Sequence, residues 1–372
     1  MSLKTLVSGC LERFEAGRAF KARLGSALHE QSGGARPGIH PALAGLRFML
    51  VEASFLCNLE CRMCPRLIEG HAEGLMPLSR FQRLIPLMRH LDAVGLTGYG
   101  EPMVHPRLHE FAAVIRSCGA KPRLSTNGTL LNEVRSRQLL DAGIENLQFS
   151  IDAGTKETFE HIRVGAKWER VLRNAERFNE LARDADEPVT TGWIFLMLRN
   201  NWRELPLAAE HAARCGFHVF VAKLIERNAL DFEQEQNLHS DDGELLVDAA
   251  EFSEVIARVE EIGRRHGMTV EVHPFRLGFN NTCLADPLQM IFVDWMGNVT
   301  PCCHLPVRNE QGNFPAHSFG NLDEQDIMEI LLGRRAQHFW RLWRERTVPA
   351  VCRKCYQVKR MPARETFRME GA

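Results

Sequence analysis

Along the chain the spacing of apolar positions changes character twice. In residues 2–30, Leu3, Leu6, Val7, Cys10, Leu11 and Phe14 recur at the i, i+3, i+4, i+7 spacing of one helix face. This helix is expected to pack on the main body, with a membrane-surface helix as the alternative. A Gly- and Pro-rich loop follows over 31–41 (QSGGARPGIHP). From residue 47 short apolar runs alternate with amphipathic stretches. Arg47–Ala53, Ala93–Thr97, Pro122–Ser125, Asn146–Ile151, Thr190–Leu198 and His218–Lys223 predict strands, and Leu130–Asp141, Lys167–Asp184 and Glu204–Cys215 predict helices between them. Ser79 and Gln82 have the spacing of a capping box, ahead of an apolar face of Leu84, Leu87, Met88 and Leu91 in which Pro86 predicts a kink. Six β/α units of this kind imply an α/β fold, a parallel sheet or partial (β/α)6 TIM-type barrel. Ligands of such folds sit at the carboxyl ends of the strands.

Charge divides the rest. Residues 226–261 hold twelve acidic residues against two arginines, and from 331 onward there are eleven Lys/Arg against three Glu. The chain therefore reads as an N-terminal helical extension and linker (1–46), a partial barrel (47–225), an acidic connecting region (226–276) that is a solvated helix-loop surface, and a small α+β domain with a basic tail (277–372). The whole chain of 372 residues carries a net charge of −1, and neither a global nucleic-acid binder nor a polyanion mimic follows from that balance. With 45% hydrophobic residues it can bury a large core without disulfides. No apolar run approaches the roughly 20 residues of a membrane span, and the start lacks a signal peptide's apolar stretch. The expectation is a cytoplasmic protein without membrane contact.

Eleven cysteines, an odd number, then point to metal or redox chemistry rather than a disulfide framework. Cys10, Cys118 and Cys215 are isolated and read as small buried apolar residues. Cys57, Cys61 and Cys64 form a Cys-x3-Cys-x2-Cys group just after the first strand, a donor set for a soft metal or an iron–sulfur cluster. A structural zinc site wants four ligands, and only His71 lies near enough to substitute. Three cysteines on a [4Fe–4S] cube leave one iron open for substrate chemistry. Chance or zinc remains the alternative on spacing alone.

The segment Cys57-Asn-Leu-Glu-Cys-Arg-Met-Cys-Pro65 resembles the signature of the radical SAM superfamily. In that family the open iron is chelated by S-adenosylmethionine, which is cleaved reductively to a 5′-deoxyadenosyl radical that abstracts a substrate hydrogen. Thr97-Gly-Tyr-Gly-Glu-Pro102 resembles the family's GGEP turn, whose backbone holds the methionyl amine; Tyr99 replaces the first glycine and leaves Gly100, Glu101 and Pro102 in register. Ser125-Thr-Asn-Gly128 and Ser150-Ile-Asp152 end the third and fourth strands. The resemblance implies that Ser125, Asn127, Ser150 and Asp152 reach the ribose and the methionine carboxylate, with Arg163 as carboxylate partner. Met63 stands where the family often has an aromatic residue, and a methionine can still pack on adenine. Taken singly, each short motif is also a plain turn, helix entry or strand end. The resemblance spans about residues 47–225 and also implies an external one-electron donor of flavodoxin or ferredoxin type.

Toward the end of the chain, Cys283 is followed by thirteen residues, Gly297, four residues and Cys302, with Cys352-x2-Cys355 later. Gln289–Trp295, a turn at Met296–Asn298 and Val299–Cys302 predict strand–turn–strand. This arrangement, with Phe319-Gly-Asn-Leu322 and the helix after it, resembles the SPASM or shorter twitch auxiliary-cluster domain of the same superfamily. No cysteine follows Cys355, so the expectation is one auxiliary [4Fe–4S] cluster on Cys283, Cys302, Cys352 and Cys355, making two clusters with the SAM-binding one. A zinc ribbon is the alternative. The Gly-x4 spacing favours Cys302 over Cys303 as ligand; Cys303 is a spare ligand, a packed thiol or a hydrogen donor. The basic tail is read as offsetting a thiolate-bound cluster's charge, with nucleic acid as the less favoured partner.

A closed four-thiolate cluster suits electron transfer. The leading expectation is a radical SAM dehydrogenase of a small polar metabolite, sugar or aminocyclitol. The alternatives are an epimerase, dehydratase or decarboxylase of a sugar, a peptide-modifying enzyme, and a non-enzymatic metal-binding adaptor. The 46 residues before the first strand look short for a leader-binding domain, which favours the small molecule. Glu226, Arg227 and His273 are possible bases near strand ends, or simply surface residues.

Overall fold

The computed structural model describes residues 38–67, 73–225, 231–240, 244–272, 283, 286–304, 317–353 and 355, and the backbone of 368–369. The expected N-terminal helix, His71, Glu226, Arg227 and His273 lie outside the described residues. The chain forms two units, Met1–Ala44 and Gly45–Ala372. Of the first, the described part is a 3-10 turn, Pro41–Leu43, capped by the His40 ring.

The second unit is built on a ten-stranded sheet. Strands β1 (Phe48–Val51), β2 (Ala93–Leu96), β3 (Lys121–Thr126), β4 (Asn146–Ser150), β5 (Thr190–Met197), β6 (Val219–Leu224) and β7 (Thr269–Val272) lie side by side in chain order, all parallel. On the other side of β1 the order continues with β8 (Met290–Val293), parallel to β1, then β9 (Asn298–Thr300) and β10 (Gly320–Asn321), antiparallel. The sheet does not close. The expected six strands are thus flanked by a seventh at one side and the C-terminal strands at the other. β2 and β8 are buried at every position, as strands covered on both faces must be.

Helices occupy the crossovers. Those expected at 130–141, 167–184 and 204–215 are α4 (Glu133–Asp141), α6 (Trp168–Arg183) and α7 (Leu205–Arg214). Asn132 caps α4 by accepting from Arg135 N. The run at 78–91 departs from expectation. It is two short helices, α1 (Leu78–Gln82) and α2 (Ile85–Met88), and no side chain caps α1 because Pro77, not Ser79, is its N-cap residue. Pro86 sits in the first turn of the second helix rather than kinking one long helix, since its missing N–H costs nothing there.

The acidic segment is also more ordered than charge suggests. Besides α8 (Asp231–Gln236) it holds α9 (Ala249–His266), whose Phe252, Val255, Ile256, Val259 and Ile262 are buried. Phe252 packs at a tilt against the fully buried Trp202, with ring centroids 5.4 Å apart. The acids of α9, Glu251, Glu254, Glu260 and Glu261, lie on the outer face of this packed crossover helix, which leads into β7. Cys118 and Cys215, expected in the core, are half-buried C-cap residues of α3 (Leu108–Ser117) and α7.

Phe252→Ala is expected to destabilise the protein by about 3–5 kcal/mol, as for other buried aromatic truncations. The shift in denaturant midpoint measures it; a loss near zero would mean that α9 does not form part of the core.

Candidate active site

The turns after β1, β2, β3 and β4, which carry Cys57, Cys61, Cys64, Gly100, Glu101, Asn127 and Asp152, leave the carboxyl edge of the sheet, and so does the turn between β8 and β9; Cys302 follows β9, which runs the other way. Cys57, Cys61 and Cys64 lie in the loop after β1. The loop is stitched to the end of α5 (Lys156–Ile162) and the turn after it by Glu60 N to Val164 O and Arg62 N to Ile162 O, both 3.0 Å. Cys61 is buried and the other two are half-buried. Burial pushes all three thiols up, Cys61 to about 12, and each of Cys57 and Cys61 also feels the charge of Cys64. The Arg163 guanidinium lies 3.9 Å from Cys61 Sγ and pairs with Asp152 at 2.6 Å. Its Nε has no hydrogen-bond partner among the described residues, an open donor in a buried place.

The turn after β2 is packed against the cysteine loop. A Cβ on Gly100 would come within 2.3 Å of Ser54 O and 2.6 Å of Leu56 O, so only glycine lets the backbone approach so closely. Glu101 N donates to Leu56 O at 2.9 Å. The buried Glu101 carboxylate accepts from Met103 N, Thr126 Oγ1 and Asn127 N at 3.0, 2.7 and 2.7 Å. Asn127 in turn donates to Asn58 and accepts from Thr129. These two side chains tie the rim together, and Ser125 and Ser150 at the ends of β3 and β4 are half-buried. Met63 is buried beside the cysteines. Asp152 is buried at the end of β4; its Oδ1 accepts from Leu196 N at 2.8 Å, and burial pushes its carboxyl up against the pull of Arg163.

In the C-terminal region, β8 and β9 form the expected hairpin. Gly297 takes φ 89° in the turn, a left-handed conformation that favours glycine, and Asp294 closes it by accepting from Asn298 N at 2.8 Å. Cys302 is buried just past β9 and feels Cys303 and Cys355 as well as His304; burial pushes its thiol to about 11. Cys352 and Cys355 are buried, joined by Cys355 N to Cys352 O at 3.0 Å. Cys283 is half-buried. The structure thus brings Cys302, Cys303 and Cys355 together and places Cys352 on the same turn as Cys355.

Four further residues belong to this rim. Arg66 donates to Leu59 O at 2.9 Å and draws the Cys57 and Cys64 thiols down. Glu233 is buried and acts on Cys64 from α8. His304 is buried and draws down Cys302. Glu52 is 2% exposed, and burial lifts its carboxyl to about 8, with Asp294 adding to the lift. Only His304 left a sequence signal, the run Cys302-Cys303-His304.

Thiols of this number and spacing are the donors that iron–sulfur clusters take. A three-thiol set beside an open guanidinium and a glycine-only backbone cradle also fits an anionic, amine-bearing ligand.

Comparison with known proteins assigns the class. Residues 51–212 match the radical SAM superfamily, and residues 283–356 match SPASM, described as an iron–sulfur cluster-binding domain. The chain is a radical SAM enzyme with a SPASM domain, and its cofactors are S-adenosylmethionine and two [4Fe–4S] clusters. It is similar to the tungsten-containing aldehyde ferredoxin oxidoreductase cofactor-modifying protein of Pyrococcus furiosus, 24% identical over 79% of this chain and 83% of that one. It is also similar to an AdoMet-dependent heme synthase of Methanosarcina barkeri, 26% identical over 76% and 81%. The S-adenosyl-L-methionine-dependent 2-deoxy-scyllo-inosamine dehydrogenase of Niallia circulans is 30% identical over 33% of this chain and 52% of its own. In fold it is similar to Streptococcus suis SuiB bound to S-adenosylmethionine, with TM-score 0.61, 12% identity, and 85% and 72% coverage. No helix among the described residues is long and apolar enough to cross a membrane.

Replacing Cys57, Cys61 and Cys64 together by Ala is expected to halve the iron from about eight per chain and abolish cleavage of S-adenosylmethionine. Cys302→Ala is expected to lose the second cluster, whereas Cys303→Ala keeps it. Iron analysis checks both.

Glu52 yields a pH prediction. Its folded pKa, about 8 against an ordinary 4.5, means that the fold holds a proton the unfolded chain has released. Stability therefore falls as pH rises between those values, by about 1 kcal/mol per unit from this group alone. Asp294, lifted to about 6, contributes mainly below that pH, so over pH 6.5–8 the difference from a Glu52 variant reports this group. Denaturation of Glu52→Gln over this window is expected to show a shallower fall than the unaltered protein.

Proposed function

We propose that the enzyme oxidises a small polar metabolite of the sugar or aminocyclitol type by two electrons, at a carbon bearing a hydroxyl group. The observation that carries this reading is the burial of Cys302, Cys352 and Cys355. With Cys283 they make a four-thiol set, and a cluster so closed off takes an electron rather than a substrate. The name of the Niallia circulans relative supports the same chemistry.

In this reading Cys57, Cys61 and Cys64 hold the SAM-binding cluster, and Cys283, Cys302, Cys352 and Cys355 the auxiliary one. When bound, the clusters and S-adenosylmethionine supply hydrogen-atom abstraction and one-electron transfer. The chain's own residues orient the parts. Arg163, fixed by Asp152, offers its open Nε to the methionine carboxylate. Gly100 lets the turn's backbone reach the amine, Ser125 and Ser150 face the ribose, and Met63 shields the adenine side from water. Glu101 and Asn127 hold that rim in place. The substrate loses one hydrogen into 5′-deoxyadenosine and a second as a proton, together with one electron. The electron source is an external carrier of flavodoxin or ferredoxin type, and a cytoplasmic location suits unpaired thiols.

A second reading is favoured by one observation. The two relatives aligned over more than three-quarters of this chain are named for a cofactor-modifying protein and a heme synthase, so the substrate set includes cofactors and their precursors.

The test incubates the reconstituted enzyme anaerobically with sugars, aminocyclitols, tetrapyrroles and peptides. The expected product is two hydrogens lighter, with one 5′-deoxyadenosine formed for each. An unchanged mass with solvent deuterium at the reacting carbon would mean epimerisation. Loss of water or carbon dioxide would likewise replace the dehydrogenase reading.

A further inference from the structure

Tyr99 stands where the resembled turn has its first glycine, and its three polar groups reach three separate parts of the molecule. Its N–H donates to Glu52 Oε1 at 2.9 Å. Its carbonyl oxygen lies 4.0 Å from Cys64 Sγ. Its phenol donates to the Cys303 carbonyl at 2.9 Å. One residue therefore touches the third cysteine of the first set and the residue next to Cys302 of the second. A glycine here would keep the two backbone contacts but could not reach Cys303.

Glu52 braces the same junction. It follows β1 and accepts from the backbones of both Tyr99 and Trp295, and Trp295 opens the turn between β8 and β9. The fit is close: a Cβ on Gly98 would lie 2.3 Å from Glu52 Cγ, and one on Gly74 would lie 2.2 Å from the Trp295 ring. A single contact between two loops leaves a hinge. Two contacts at different points, the carboxylate at Trp295 and the phenol at Cys303, restrict rotation as well as distance.

We propose that Tyr99, braced by Glu52, is a positioning residue that sets the separation and orientation of the auxiliary-cluster loop relative to the SAM-cluster loop. The proposal rests on the assignment of the two cysteine sets to two clusters and is independent of which substrate is oxidised. Iron content of the unaltered protein tests that assignment separately, since fewer than about eight irons would sink it before Tyr99 is touched.

The experiment reads magnetic coupling between the two reduced clusters in the cluster-loaded, full-length protein by electron paramagnetic resonance. This coupling falls with the inverse cube of separation and depends on orientation. Tyr99→Phe removes only the hydroxyl; Tyr99→Gly restores the glycine. Both are expected to lose the single defined splitting of the unaltered protein in favour of a weaker, distributed one. Ring-fluorinated tyrosine at position 99, which keeps the hydroxyl, is expected to retain it. An unaltered splitting in both Tyr99→Phe and Tyr99→Gly would overturn the proposal. If Tyr99→Phe sheds the auxiliary iron, retention of that iron with fluorotyrosine supports the proposal, and its loss there overturns it.

Discussion

The rest of the structure depends on the parallel pairing of β8 with β1, in the register Phe48↔Met290 through Val51↔Val293. A strand at the edge of a sheet presents unpaired N–H and C=O groups, and β1 fills its free edge with a segment some 240 residues away in sequence. Because the two strands run in the same direction, their carboxyl ends lie on one edge. The loop carrying Cys57, Cys61 and Cys64 and the hairpin leading to Cys302 therefore share a rim. An antiparallel β8 would send the hairpin to the opposite edge. A slip by one residue would turn every β8 side chain to the other face and take Trp295 away from Glu52.

That pairing has an electrostatic consequence. Glu52 follows Val51 and Asp294 follows Val293, so the register sets two buried carboxyl groups next to each other. Burying an unpaired charge is costly, and each group is raised by burial. Both are retained because each satisfies backbone N–H groups of tight turns: Tyr99 and Trp295 for Glu52, Asn298 and Gly297 for Asp294. An apolar residue would remove the repulsion and strand those donors. The same trade recurs at Glu101 and Asp152, whose burial is offset by Asn127 and by Arg163. Acids that break the usual burial rule thus line the rim where the loops must be held.

How much of this could be read from the chain depended on whether a signal was local. The first six strands were legible within a residue or two because each is a short apolar run between amphipathic stretches. The two cysteine groups could be picked out because their spacing is a property of the chain itself. α9 was hidden because acid content was weighed above period, although Phe252, Val255, Ile256 and Val259 follow the helical spacing. Ser79 and Gln82 matched a capping pattern whose register Pro77 had already set. Glu52, Arg66 and Glu233 were not legible as site residues, since what brings each to the cysteines is a turn or crossover distant in sequence. Tyr99 was legible only as a departure from a familiar turn; its reach to Cys303 exists because β8 docks on β1.

The departure and the docking explain each other. A turn whose backbone packs tightly on a neighbouring loop needs glycine where the two come close, and Gly100, against Ser54 and Leu56, meets that need. The preceding position faces the neighbouring hairpin and is free to carry a side chain. Once β8 fixes the hairpin alongside, a side chain there can span from the first cysteine loop to the second, and tyrosine does so with a donor at its far end. Chemistry divided between two clusters needs a fixed gap between them, because electron transfer falls steeply with distance. The sheet sets that gap coarsely through one strand pairing, and the turn closes it with one phenol.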